Sequence, residues 1–145
     1  MKTILLALDF EGQSTKILEE AKKYALAFNA HLHLVHVSTL LTKAVNYDPM
    51  AEEVNHEARP ELNAERRLLK QLCLNLKEDG VNCDFSIVEG DVSVKLLEQA
   101  NKLAAELIIV GHHQHGFLMR ALLKSTSEEA LQKTNIPLLV IPLDA

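Results

Sequence analysis

Long apolar runs are missing from this 145-residue sequence, which argues against a membrane protein. No run approaches the about 20 apolar residues that span a bilayer. The apolar stretch near the N-terminus covers only residues 4–8, whereas the apolar part of a secretory signal has about 7–15 residues. No small-residue cleavage site follows it. We therefore expect a cytoplasmic protein that does not bind membranes.

Cysteine and basic charge are also scarce. The two cysteines, Cys73 and Cys83, are too few for a disulfide framework, and we expect two reduced, partly buried thiols. The formal net charge is −5, and no window of the sequence is strongly basic. Because nucleic-acid binding needs a clustered basic surface that neutralises phosphates, we expect no nucleic-acid partner.

Recognisable catalytic motifs are absent as well. The sequence contains no nucleophile elbow, no Walker phosphate-binding loop and no metalloprotease helix motif. Ser125 has no base that the sequence assigns to it, so no catalytic triad is evident. These absences favour a protein that is not an enzyme.

The sequence does contain an alternation of strand and helix patterns. Near-continuous apolar runs are typical of parallel strands that are buried on both faces, and segments with one apolar helical face separate them. The predicted strands cover residues 4–9, 31–37, 83–88, 107–110 and 137–143, and the predicted helices cover 14–28, 61–79, a segment carrying Val94 to Ala104, and 125–134. This order predicts an α/β fold with a doubly wound parallel sheet, formed by one domain over residues 1–145.

A glycine and a histidine-rich loop follow the fourth predicted strand. The apolar run at 107–110 leads directly into Gly111, and residues 112–116 read HHQHG. In doubly wound sheets, ligands bind outside the carboxyl ends of the strands. The loop is therefore the first candidate for a binding site.

Five segments in a fixed order give this chain a family resemblance. They are residues 4–9 (ILLALD), 33–37 (HLVHV), 111–114 (GHHQ), 125–128 (STSE) and 136–142 (IPLLVIP). With them the chain resembles the universal stress protein family over its whole length, and its GHHQ form is most similar to the universal stress protein A branch. The resemblance implies a five-stranded sheet of order 3-2-1-4-5, four main helices and a stress-response function. It also implies a homodimer joined through the last strand, between Pro137 and Leu143, with protein partners that the sequence does not identify.

The resemblance also bears on nucleotide binding. The ATP-binding branch of the family carries Gly-x2-Gly-x9-Gly followed by Ser or Thr, and here those positions hold Gly111, Gln114, Lys124 and Ser125. Glycines in such loops let backbone N–H groups approach phosphate oxygens without an intervening Cβ. Because two of the three glycines are missing, we predict no tightly bound cofactor.

An alternative is that ATP or AMP still binds, and the same alignment names the residues that would hold it. They are Asp9, Val37, Gly111, Lys124, Ser125, Thr126 and Ser127. Lys124 would then offer a point charge to a phosphate. Asp9 has the alternative role of bonding to nearby backbone in the first loop, and Val37 that of an ordinary core residue. Ser125 and Glu128 also fit a helix capping box, which would use the same N–H donors.

The histidines suggest a further hypothesis. Imidazole is a common ligand for zinc, nickel and copper, so His112, His113 and His115 could form a metal-responsive module. No carboxylate or cysteine lies close to them in the sequence, and we expect a solvated loop or a dimer surface instead, with no metal site. The histidines at 31, 33 and 36 are interpreted as structural or sheet-end residues.

Overall fold

The three-dimensional structure is a computed structural model, which describes residues 1–8, 14–38, 60–112 and 135–143. Strands and helices alternate along these ranges, as the sequence predicts. In chain order they are β1 (Thr3–Leu8), α1 (Ser14–Phe28), β2 (His31–Ser38), α2 (Pro60–Glu78), β3 (Cys83–Glu89), α3 (Val92–Lys102), β4 (Leu107–His112) and β5 (Leu138–Pro142).

The five strands form one parallel sheet in the order β3-β2-β1-β4-β5. This confirms the predicted α/β class and strand order. The order reverses direction between β1 and β4, and at such a switch point the carboxyl ends of the strands open a crevice for ligands. Strands β3 and β5 are the two edges of the sheet.

Apolar side chains project from both faces of the sheet, because successive residues of a strand point in opposite directions. Leu6 and Leu8 of β1 pack on the face that α1 and α2 cover. Leu5 and Ala7 pack on the other face, which α3 covers. This two-sided burial explains why β1 reads as an unbroken apolar run and not as an alternating one.

The three helices described here end in the same way. A residue with positive φ follows each helix: Asn29 (51°), Gly80 (89°) and Ala104 (53°). After α2, the N–H of Gly80 donates to the carbonyl of Lys77 and that of Val81 donates to the carbonyl of Leu76. The same pair of bonds closes α1 at Asn29 and α3 at Ala104. These are Schellman motifs, which satisfy the last helical carbonyls and turn the chain toward the next strand.

Two helix faces differ from the sequence prediction. Helix α3 ends at Lys102, so Ala104 lies beyond it, and Val94 is 41% exposed instead of facing the core. Phe28, expected on the apolar face of α1, is 47% exposed because it lies in the last turn, beyond the edge of the core. Apolar spacing identified these helices but did not distinguish buried positions from positions at helix ends.

Some predicted segments lie outside the described residues. They include the helix at 125–134, the irregular stretch that follows Ser38 up to residue 59, and Asp9, which was expected to end the first strand. Among the described helices, none combines the length and the apolarity that crossing a membrane requires.

Candidate functional site

The carboxyl edge of the sheet carries the described part of the predicted ligand site. Val37 is the penultimate residue of β2, and Gly111 and His112 end β4. Strand β1 lies between β2 and β4, so the backbones of Val37 and Gly111 are about 10 Å apart at a strand spacing of ~4.8 Å. Val37 is buried among the residues that face α3, as expected for an ordinary core valine.

Gly111 has a packing role that the sequence did not reveal. A Cβ placed on it would lie 2.5 Å from Leu143 Cδ1 and 3.1 Å from Ile17 Cδ1. Its φ is not among the positive values, so backbone conformation does not demand a glycine here. The absence of a side chain lets β5 and α1 close over the end of β4.

A buried carboxylate at the same edge was missed by the sequence interpretation. Glu89 ends β3 beside Ser38 of β2, and only 2% of its surface is exposed. The next residue, Gly90, donates its N–H to the Ser38 carbonyl and has a φ of 134°.

The other predicted nucleotide contacts are not placed by the structure. Asp9, Lys124, Ser125, Thr126 and Ser127 lie outside the described residues. The same is true of His113 and His115, whereas His112 is exposed at the end of β4. Of the seven candidate residues, the structure therefore positions Val37 and Gly111.

A second polar cluster lies at the opposite, amino edge of the sheet. His31 and His33 alternate along β2 and so share one face, and His33 pairs in register with Asp84 of β3. His31 Nε2 lies 2.9 Å from Asp84 Oδ1, and His33 Nδ1 contacts the same oxygen. Within the described residues this is the one group of three potential metal ligands, with all ligand atoms within 4.8 Å of each other.

Hydrogen bonds behind this cluster fix the ring of His33. Ser86 Oγ donates to Gln99 Oε1 of α3 over 3.1 Å, and the same Oγ lies 2.9 Å from His33 Nε2. A hydroxyl has one hydrogen, and Ser86 gives it to Gln99, so its oxygen is free to accept from His33 Nε2. This contact holds the ring with Nδ1 facing Asp84.

Burial and charge act in opposite directions on this cluster. Burial lowers the pKa of His33, although Asp84 raises it in part. Burial also raises the pKa of Asp84, but the hydrogen bond from His31 and the proximity of His33 outweigh this and hold the pKa below its ordinary value. Asp84 is therefore a carboxylate at neutral pH.

The third histidine of β2 has a different environment. His36 faces the α1 and α2 side, where Nδ1 lies 3.0 Å from the Leu8 carbonyl and Nε2 lies 3.0 Å from Glu65 Oε2 of α2. It is buried and ties β1, β2 and α2 together. This environment fits the structural role that the sequence suggested.

The two thiols meet between α2 and β3. Cys73 Sγ and Cys83 Sγ are 2.9 Å apart, and both residues are buried and free. The hydrogen bond from Cys83 lowers the pKa of Cys73, whereas that bond, followed by burial, raises the pKa of Cys83. Both thiols border a cavity that Arg66, Lys70 and Lys77 also line. Both thiols are more fully buried than the sequence interpretation expected, and their contact was not predicted.

Comparisons with known proteins agree with the fold. The model of the universal stress protein family matches residues 1–142. Universal stress protein A of Salmonella typhi is 26% identical over 147 aligned positions, covering 98% of this chain and 94% of that protein.

Solved structures give the same picture. A universal stress protein family member from Burkholderia pseudomallei is 27% identical with a TM-score of 0.69, covering 97% of this chain and 96% of that one. The universal stress protein of Archaeoglobus fulgidus in complex with dAMP is 14% identical with a TM-score of 0.68, covering 97% and 98%.

Proposed function

Because the chain belongs to the universal stress protein family, we propose that it is a cytoplasmic, non-enzymatic stress-response protein. It acts as a homodimer without tight nucleotide binding, and its effect depends on association with partner proteins. The family assignment is the premise. The packing of Gly111 supports the lack of tight nucleotide binding, and the outer strand β5 supports the homodimer.

The packing of Gly111 supports the absence of tight nucleotide binding. It is the one glycine left at the three glycine positions of the ATP-binding pattern, where Gln114 and Lys124 occupy the other two. Leu143 and Ile17 fill the space beside it, so the close fit between β4, β5 and α1 suffices to explain this glycine. No residue of the pattern is then left that only a phosphate would require.

Nucleotide-dependent switching, with or without slow ATP hydrolysis, is the second candidate function. It is favoured by the relative from Archaeoglobus fulgidus, whose structure is in complex with dAMP. ATP or AMP would then lie at the carboxyl edge against Val37 and Gly111. The contacts from Asp9, Lys124, Ser125, Thr126 and Ser127 would complete that site.

Calorimetric titration of the nucleotide-stripped protein with ATP and Mg²⁺ separates the two candidates. We expect no binding at millimolar ATP and no nucleotide in the mass spectrum of the purified protein. We expect the double variant Gln114→Gly, Lys124→Gly to gain measurable affinity, since it restores the backbone approach to phosphate. Micromolar binding by the unmodified protein would instead favour the switch.

The edge strand β5 supports the homodimer. Among the described strands it pairs with β4 alone, and Val140 at its centre is 37% exposed. An apolar edge strand with unpaired backbone groups is a template for pairing with another chain. Two copies of β5 across a two-fold axis would extend the sheet from one subunit into the next.

A further inference from the structure

The cluster of His31, His33 and Asp84 takes no part in the proposed function. It lies at the start of β2 and β3, whereas the predicted nucleotide contacts lie where β2 and β4 end. The two places are at opposite ends of the same sheet. Any ligand of this cluster therefore binds at a separate site.

The three side chains are arranged as a set of metal ligands. Two imidazoles on one face of β2 and one carboxylate from the neighbouring strand converge with their ligand atoms within 4.8 Å of one another. Two histidines and one carboxylate are a recurrent ligand set for zinc and for other divalent first-row transition metals. His31 and Asp84 are 36% and 58% exposed, so an ion has access from solvent and keeps positions for water.

The contacts of His33 Nε2 hold its ring in the orientation that a metal ligand needs. Ser86 Oγ lies 2.9 Å from Nε2 and donates its own hydrogen to Gln99 Oε1. Nδ1 is therefore directed at Asp84 Oδ1. A metal ion bound to both atoms, and to His31, would take the place of the proton between them.

We propose that His31, His33 and Asp84 form a binding site for a divalent transition-metal ion, with Zn²⁺ as the expected ion. Ser86 is a positioning residue, since its hydrogen bond to Nε2 directs Nδ1 toward the ion. Gln99 in turn orients Ser86 from α3. The site is open, with three protein ligands and room for water.

Titration of the full chain with Zn²⁺ alone, followed by calorimetry, tests the site. We expect saturable binding of one ion per chain. Asp84→Asn and His31→Asn change partly exposed residues and leave the core intact, and each should weaken binding by more than about 100-fold. Ser86→Ala should weaken it by about 10–100-fold, the range typical for a residue that orients a metal-bound histidine. Circular dichroism of each variant checks that it is folded.

The histidine-rich loop and the thiols are competing sites, and two controls separate them. The triple variant His112→Asn, His113→Asn, His115→Asn should keep the Zn²⁺ affinity of the parent. Co²⁺ bound in place of Zn²⁺ should show no sulfur-to-metal charge-transfer band, because the proposed ligands are nitrogen and oxygen. Loss of binding in the triple variant, a thiolate band, or the absence of saturable Zn²⁺ binding would each overturn the proposal.

The ring nitrogens of His33 supply a readout that does not depend on affinity. In nitrogen NMR spectra, Zn²⁺ should shift the Nδ1 resonance of His33 and leave a proton on Nε2, because the metal binds Nδ1 and Ser86 accepts from Nε2. An Nδ1 resonance that is unchanged at saturating Zn²⁺ would overturn the metal site.

Discussion

At the scale of single residues, the turns that end the three described helices differ in backbone strain. Asn29, Gly80 and Ala104 hold the same left-handed conformation at the end of their helices. Glycine adopts it without penalty, whereas a residue with a Cβ loses about 1–2 kcal/mol. Asn offsets part of that loss by local hydrogen bonding, but Ala has no such compensation. The turn is therefore relaxed at Gly80, partly compensated at Asn29 and strained at Ala104.

Exchanging the side chains at these turns should shift stability in opposite directions. Gly80→Ala should lower the free energy of unfolding by about 1–2 kcal/mol, because a Cβ there has open space but an unfavourable φ. Ala104→Gly should raise it by roughly 0.5–1 kcal/mol, since the released strain exceeds the added freedom of the unfolded chain. Urea unfolding measures both, and a stability loss in Ala104→Gly would contradict the assignment.

Gly111 should be sensitive to added volume and not to added strain. Gly111→Ala brings a methyl group against Leu143 and Ile17, and overpacking of this kind costs about 1–3 kcal/mol. In a Leu143→Ala background the same change should cost less, which a double-mutant cycle measures as a coupling energy. Equal costs in both backgrounds would show that packing is not the reason for this glycine.

Some of these residue-level features could be predicted from the sequence and others could not. The stop at Gly80 was predictable, because glycine after a helical pattern is a known signal. Ala104 gives no such signal, and apolar spacing wrongly extended α3 over it. The pairing of His31 and His33 with Asp84 was missed, since it depends on the register between β2 and β3, although the His-x-His alternation itself was visible.

At the scale of secondary structure, the contact between α2 and β3 contains an oxidisable pair. Cys73 has the lowered pKa and is the better nucleophile, and Cys83 lies 2.9 Å away. A Cys73 thiolate attacks the disulfide of oxidised glutathione and releases one glutathione. The glutathione thiolate released in this step takes the proton of the Cys83 thiol, whose sulfur attacks the mixed disulfide and releases the second glutathione. The cavity beside both thiols is lined by three basic side chains and one carboxylate, Asp84, and this excess of positive charge suits an acidic oxidant.

Incubation with oxidised glutathione should therefore link Cys73 to Cys83 within one chain. We expect a mass loss of two hydrogens and a rise in unfolding free energy of about 2–4 kcal/mol, the usual range for a disulfide. Cys83→Ser should stop at the glutathione adduct on Cys73. An oxidised parent protein that carries only intermolecular disulfides would contradict the prediction.

The order of strands and helices was the feature of this structure that the sequence predicted best. Strand β1 was recognised because both of its faces are buried, and α1 and α2 because their apolar positions recur at helical spacing. Predicted strand bounds differ from the observed ones by two residues or fewer. The errors lie at helix ends, where hydrogen bonds of the following turn, and not apolar spacing, determine the last residue.

At the scale of the whole molecule, the two edges of the sheet differ. Strand β3 is covered by α2 and carries the polar Asp84, whereas β5 exposes Val140. The sequence predicted the parallel sheet from strand–helix alternation, but the strand order came from the resemblance to a family. Periodicity alone does not determine which strand lies at an edge.

Placing a charge on β5 should separate the proposed dimer. Val140→Lys adds a cation at the centre of the edge strand, and Lys on an edge opposes pairing between chains. We expect sedimentation velocity to show a dimer for the parent and a monomer for this variant. Val94→Lys, a comparable exposed valine on α3, should remain dimeric. A monomeric parent protein, or a dimer that tolerates Val140→Lys, would argue against the proposed interface.

Strand β2 runs from the amino edge of the sheet, where His31 and His33 lie, to the carboxyl edge, where Val37 lies. Its residues after His31 are buried throughout, and the four residue steps from His33 to Val37 span about 13 Å at a rise of ~3.3 Å per residue. An ion at one end and a second ligand at the other would share this strand as a common support. Thermodynamic linkage then requires reciprocity: whatever factor the ion applies to the affinity at the carboxyl edge, the ligand there applies to the ion.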